Sequence, residues 1–231
     1  MTYKAALDTS TAFAALAVTK DDNLCFELNE IPLGRASGGV TTSMTNAFQS
    51  AGISLSEVRE WTIGLGPGSF SGIRIGAALI KGICAGTGAA YRGVPSSVAM
   101  ASALSAMDVA NVAVLHDGRR GEALTSPYVR NVYGEWEPKA APYPAVIAEL
   151  SFSDREAFVV MRTDRCLPEL TKAKLPLTIL DKFPVISLTT APGTMPATVE
   201  EMERSVQPVY VRPATYAKPT AYVRGRQRSP S

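Results

Sequence analysis

Apolar and polar residues change their spacing several times along this chain, and the changes mark out its elements. Between residues 3 and 30 the runs YKAALD, FAALAVTK and LCFELNE are short and either apolar or alternating. Polar turns at Thr9-Ser10-Thr11 and Asp21-Asp22-Asn23 separate them. Short runs bounded by turn residues predict three successive strands, a β-meander. From about Gly39 to Ala51 the spacing lengthens: Val40, Met44, Ala47, Phe48 and Ala51 recur every three or four residues, and Gly52 stands where a helix C′ glycine belongs. Ser54-Leu-Ser-Glu57 is a capping-box pattern that opens a short helix. WTIGL then reads as a buried strand that runs into GLGPGSFSGIRIG, residues 64–76. A second helix is predicted from Ser71, taken as its N-cap, to about Ala85, with Ile73, Ala77, Ile80 and Cys84 on one side.

The second half repeats this plan in a looser form. Val94-Pro95-Ser96-Ser97 reads as the passage into a second lobe, followed by a helix from about Ser97 to Met107 and the strand VAVLHD. GRRGE makes a turn, and ALTSPYVR returns as a strand. Prolines are frequent from Pro127 to Pro196, which predicts loops with short strands such as AFVVM and LTIL. RGRQRSPS at the end is basic and polar and reads as a disordered tail. A meander, then strands alternating with helices, then a shorter echo, predicts a two-lobed α/β protein.

Composition narrows the setting. Lys plus Arg number 23 against 21 Asp plus Glu, so there is no general field for nucleic acid, although a local basic patch is compatible with the balance. Cys25, Cys84 and Cys166 are scattered and odd in number, which fits a reducing compartment better than a disulfide framework or a zinc site. No apolar stretch approaches a membrane span, and the first residues lack the pattern of a signal peptide, so the expected location is cytoplasmic.

The glycine-rich stretch fails each mechanism-bearing pattern it could match. Gly66, Gly68 and Gly72 give G-x-G-x-x-x-G, one residue too long for a dinucleotide turn, and no Gly-Lys-Ser/Thr of a P-loop is present. Neither Ser69 nor Ser71 has the glycines of a nucleophile elbow. A peptidase would have to be built from Ser69, Ser71 and His116, the chain's only histidine, and a structural role suits a histidine at a strand end better. The loop still leads into a helix N-terminus, where free amides attract anions. Asp8, before Thr9, Ser10 and Thr11, has two readings that the residues leave open. It can hold magnesium and phosphate oxygens, or it can close an Asx-turn on its own backbone.

Three stretches together resemble one family. ALDTSTAFAALAV, GLGPGSFSGIRIGAALIKGICAG and HDGRRGEALTSPYV are similar to the bacterial TsaB (YeaZ) family, and VQPVYVRPATYAKP resembles its C-terminal segment. The most specific part is the signature Gly66, Pro67, Gly68, Ser69, Phe70, Gly72, Arg74 and Gly76. The resemblance implies a two-lobed fold of the actin, sugar-kinase and heat-shock-ATPase (ASKHA) type with a degenerate nucleotide site. Its first lobe would take residues 1–94 plus about 206–222, its second, loop-rich lobe 95–205, and the tail 223–231.

The implied function is a non-catalytic subunit in the synthesis of threonylcarbamoyladenosine (t6A) on tRNA, with no catalytic and no metal residues of its own. It would pair with the TsaD transferase as a heterodimer and help recruit the TsaE ATPase. It would form a homodimer without its partner, and meet tRNA only through the complex. No cofactor is expected on the isolated chain, with ATP and magnesium held only at a composite site. Asp8, Thr9, Ser10 and Thr11 become a relic of a nucleotide site. The partner interface implied is Met44, Phe48, Gly72, Ile73, Gly76, Ile80 and Gly82, from the first long helix and the helix after the signature. Where the family often has a histidine-serine pair before that first helix, this chain has GRASGGVTTSMTNAFQ. The alternative is an ASKHA-type ATPase or phosphotransferase using Asp8 and the loop from Gly66 to Gly72.

Overall fold

Alternate residues of the strands point into two different cores, and this alternation stacks the molecule in layers. The computed structural model describes residues 2–33, 38–153, 155–209 and 211. β1 (Tyr3–Asp8), β2 (Phe13–Lys20) and β3 (Asn23–Pro32) form the expected antiparallel meander. β4 (Val58–Gly64) and β5 (Ala90–Val94) join it as parallel strands, giving the order β3-β2-β1-β4-β5. The second sheet contains β6 (Asn111–Asp117), β7 (Glu122–Arg130), β8 (Trp136–Pro138), β10 (Glu156–Met161) and β11 (Leu177–Leu180) in the order β11-β10-β6-β7-β8. β9 (Tyr143–Val146) also pairs with β7. Read outward from β1 and from β6, the two sheets share one plan: antiparallel neighbours on one side, two parallel strands on the other. That duplicated α/β architecture is the ASKHA type.

On β1 and β2, Ala5, Leu7, Ala14, Leu16 and Val18 face a core closed by α1 (Gly38–Ser50) and α2 (Phe70–Thr87). Ala6, Ala15 and Ala17 face the other way. There they meet α3 (Ser96–Ser102), α5 (Ile186–Thr189) and the inner face of the second sheet, represented by Val112, Val114 and Val159. These alanines leave room for two short helices between the sheets. On the far face, Leu115, Phe158 and Val160 pack with Leu170 of α4 (Leu167–Lys172).

Several boundaries differ from the sequence expectation. The N-cap of α2 is Ser69, whose hydroxyl accepts from the Gly72 amide at 3.2 Å; Ser71 lies inside the helix. The helix expected over Ser97–Met107 ends at Ser102 and continues as turns. The chain re-enters the first lobe with α6 (Val199–Ser205), ahead of residue 206. Met202, Val206 and Val209 join the first-lobe core. The segment 212–222 and the tail 223–231 lie outside the described residues. Arg92 of β5 fastens the chain just before this return. Its guanidinium, pushed below its ordinary pKa by burial, donates to the carbonyls of Ala191 at 2.7 Å and Pro192 at 3.4 Å, and to Gly193.

The signature glycines make room for the β1–β2 turn. A Cβ on Gly64 would overlap the Asp8 carboxylate, one on Gly68 the Ser10 carbonyl, one on Gly72 the Thr9 carbonyl, and one on Gly76 the Thr9 hydroxyl. Gly82 and Gly86, further along the same helix, have no foreign atom within 4 Å of such a Cβ. Glycines that look alike in sequence therefore do different work.

In urea denaturation, Gly72→Ala is expected to destabilise the chain by about 2 kcal/mol or more, because the obstacle is backbone and cannot rotate away. Gly82→Ala should stabilise it by about 1 kcal/mol, the helix-propensity gain alone. Arg92→Met, which strands three carbonyls of the 191–193 segment, should cost about 2 kcal/mol on the same assay.

Candidate functional site

The β1–β2 turn, the glycine loop and the start of α3 meet around one carboxylate. Asp8 is 1% exposed. Its Oδ1 accepts from the Ser10 amide at 2.8 Å and from the Ser10 hydroxyl at 2.7 Å, and its Oδ2 accepts from the Ser96 hydroxyl. The amide two residues on is the donor of an Asx-turn, so Asp8 adopts the second of its two readings. Ser96 Oγ in turn accepts from the Gly66 amide at 2.8 Å, while the Ser96 amide donates to the Gly66 carbonyl at 2.8 Å. Ser69 closes the ring by donating its amide to the Ser10 carbonyl at 2.6 Å. Burial pushes the Asp8 pKa up, and the three hydrogen bonds hold it down. Both oxygens of Asp8 are thus engaged within the fold. Among the described residues no cluster of three or more His, Cys, Asp and Glu could hold a metal.

Between the lobes lies a cleft of about 540 Å³. Its first-lobe wall is the turn at Ser10 and Thr11 together with the loop and first turn of α2, from Gly68 to Gly72. Its second-lobe wall comes from His116 and Asp117 at the end of β6 and from Thr163, Asp164 and Arg165 after β10. Parallel pairing of β6 with β10, with Val160 opposite Leu115, brings both strand ends to one edge. That carboxyl edge is where open α/β sheets place ligands. Asp117 accepts from the Cys166 amide at 3.0 Å and from Arg165 Nε at 3.1 Å. Burial, reinforced by the charge of Asp117, pushes Asp164 up to about 7. His116 is buried and lowered to about 4, which keeps it neutral near pH 7. Ser69, Ser71 and His116 do share this cleft, yet His116 Nε2 has no hydrogen-bond partner among the described residues, so no Ser–His pair is formed.

The expected interface residues divide sharply. Met44, Phe48, Ile73 and Ile80 are each 2% exposed or less and belong to the chain's own first-lobe core. Phe48 stacks there against Phe26 at 5.2 Å and Trp61 at 6.2 Å. Gly72 and Gly76 face Thr9. These six are corrected from interface to internal packing, because the sheet beneath α1 and α2 already buries them. Gly82 alone of the seven lies on the open side. Around it the outer face of α2 presents Ala78, Ala85 and Gly86 with half-buried Ile75 and Leu79. The exposed positions of α1 are Gly39, Thr41, Thr42, Thr45, Asn46, Gln49 and Ser50, all uncharged. Arg74 is exposed and stacks on Phe70, with its guanidinium carbon 3.8 Å from the ring centre. Thr163, Asp164, Arg165 and Ser96 are site residues that the sequence reading missed. The only local signal for the first three was a polar Thr-Asp-Arg directly after the apolar strand AFVVM.

Comparison with known proteins agrees with this geometry. Residues 38–142 match the family model "TsaD: tRNA N6-adenosine threonylcarbamoyltransferase". The chain is 27% identical over 148 residues to the tRNA threonylcarbamoyladenosine biosynthesis protein TsaB of Escherichia coli, covering 62% of this chain and 64% of that protein. It is 26% identical to the TsaB of Haemophilus influenzae, covering 69% of this chain and 67% of that one. The solved structure of YeaZ from Pseudomonas aeruginosa superposes with a TM-score of 0.68 at 18% identity, over 91% of this chain and 100% of that one. No helix among the described residues is long and apolar enough to cross a membrane. In its duplicated sheets, its glycine loop seated on the first turn and its sequence, the chain is similar to the TsaB (YeaZ) proteins.

Proposed function

We propose that this chain is a cytoplasmic, non-catalytic subunit of the machinery that makes threonylcarbamoyladenosine on tRNA. It docks a TsaD-type transferase through the outer faces of α1 and α2 and helps to bring in a TsaE-type ATPase. The observation that carries the reading is the character of that outer face. Gly82 and Gly86 stand open beside Ala78 and Ala85, and the exposed positions of α1 are uncharged. Small residues let a second helix approach closely, and depletion of charge is typical of interface centres. The same face serves self-association when the transferase is absent.

ATP and magnesium, on this reading, belong to a site shared with the partner. Asp8 engages both carboxylate oxygens with Ser10 and Ser96, which supports a structural role over that of an ATPase or phosphotransferase. The buried, unpaired His116 gives a peptidase no base poised on a serine.

Calorimetry of the chain with its host's TsaD-type protein tests the docking. Gly82→Leu should weaken association at least tenfold, about 1.4 kcal/mol, while its melting temperature does not fall. Unchanged affinity would remove α2 from the interface. The isolated chain should give no binding heat with magnesium-ATP at about 1 mM, a concentration that detects weak sites. Magnesium-dependent binding that disappears in Asp8→Asn would instead establish the ATPase reading.

A further inference from the structure

Two buried polar atoms on the second-lobe wall of the cleft find no partner among the described residues, and a buried carboxylate lines the same wall. His116 is 2% exposed, and its Nε2 has no hydrogen-bond partner among the described residues. Thr163 Oγ1 is buried in the same condition. Among the described residues Asp164, 8% exposed, accepts one long bond, at Oδ2 from the Met161 amide at 3.3 Å. Buried polar groups are nearly always satisfied, so two unpaired ones with a weakly held carboxylate on one cleft wall point to a guest.

All three can accept hydrogen bonds: a neutral imidazole nitrogen, a hydroxyl and a carboxylate. A primary ammonium offers three N–H donors and a positive charge. A phosphate suits this wall badly, because Asp117 and Asp164 stand on it. Arg165, the one cation among the described lining residues, is paired with Asp117 at 3.1 Å. The opposite wall has the contrary polarity, since the first turn of the 18-residue α2 forms it. A helix N-terminus carries roughly half a positive charge. The cleft is thus polarised from one lobe to the other.

We propose that the inter-lobe cleft binds a primary ammonium group through His116, Thr163 and Asp164, and that its ligand is a small α-amino acid whose carboxylate lies toward the first turn of α2. This assignment is independent of the partner face, which lies on the other side of α2. Burial and the Asp117 charge hold a proton on Asp164 up to about pH 7, so proton and ammonium compete for one carboxylate. The other titratable groups around it are Asp117, Arg165, Cys166 and the neutral His116.

Titration of the full chain with L-alanine, ethylamine, acetate and inorganic phosphate, followed by calorimetry and by amide NMR shifts, tests the proposal. L-Alanine should bind with a Kd on the order of a millimolar, about tenfold tighter than ethylamine or acetate. Its affinity should rise about tenfold from pH 6 to pH 8 as Asp164 loses its proton. Asp164→Asn and Thr163→Val should each weaken it about tenfold without disturbing amide shifts outside the cleft. Ethylamine binding as tightly as L-alanine would support the ammonium pocket and overturn the amino acid in favour of a simple amine such as a lysine side chain. Tighter binding of phosphate than of either amine would overturn the proposal. So would the absence of amine-dependent shifts at about 50 mM, or affinity unaltered by both substitutions.

Discussion

One buried carboxylate organises the cleft side of this molecule. Asp8 takes hydrogens from Ser10 and Ser96, and Ser96 holds Gly66 through its hydroxyl and its amide. Three chain segments far apart in sequence are therefore fixed at one point: the β1–β2 turn, the loop into α2 and the start of α3. A carboxylate costs a great deal to bury unless its lone pairs are occupied. The surrounding backbone must come within hydrogen-bonding distance, and only glycine at positions 64, 68, 72 and 76 lets it. The family signature is the imprint of that requirement.

This packing gives α2 two unlike sides. The inner side is crowded against Thr9, Ser10 and the first sheet, and substitutions there act on folding. The outer side has empty space above Gly82 and Gly86 and no charge on the neighbouring positions of α1. A helix so firmly seated on one side can present the other as a preformed surface, which lowers the ordering cost of association. The N-terminal end of the same helix closes one wall of the cleft. α2 thus connects its open outer face to the cavity between the lobes.

The division of the lobes rests on a different device. Small alanines on the inner faces of β1 and β2 admit α3 and α5 between the sheets, and Arg92 gathers the carbonyls of residues 191–193 before the chain returns as α6. The segment after α5 is thereby tied to the edge strand of the first sheet by a buried guanidinium.

Much of this was readable from residue order. Strand and helix periods marked the meander, α1, α2 and four strands of the second sheet, β6, β7, β10 and β11, because burial on one face imposes a fixed spacing. The capping box at Ser54 formed as written, with both of its reciprocal bonds. The signature stretches pointed to the similarity with TsaB proteins without reference to any contact. α4, α5 and α6, each of seven residues or fewer, escaped notice because they are too short to display a period. The cap of α2 was misplaced by two residues because Ser69 and Ser71 are equivalent until the loop is drawn against Ser10.

Sequence by itself thus determined the longer elements, the repeated α/β plan and the family resemblance, all of which follow from local spacing and motif. It could not say what lies behind an apolar position. Met44 or Ile80 has the same periodicity whether a sheet or a partner covers it, and Gly76 and Gly82 are alike until Thr9 is placed beside one of them. Nor could it bring Thr163 and Asp164 to His116, some 47 residues earlier in the chain, since only the parallel pairing of β6 with β10 does so. Periodicity is a property of one segment, whereas burial and proximity belong to pairs of segments, and the tertiary structure alone decides those.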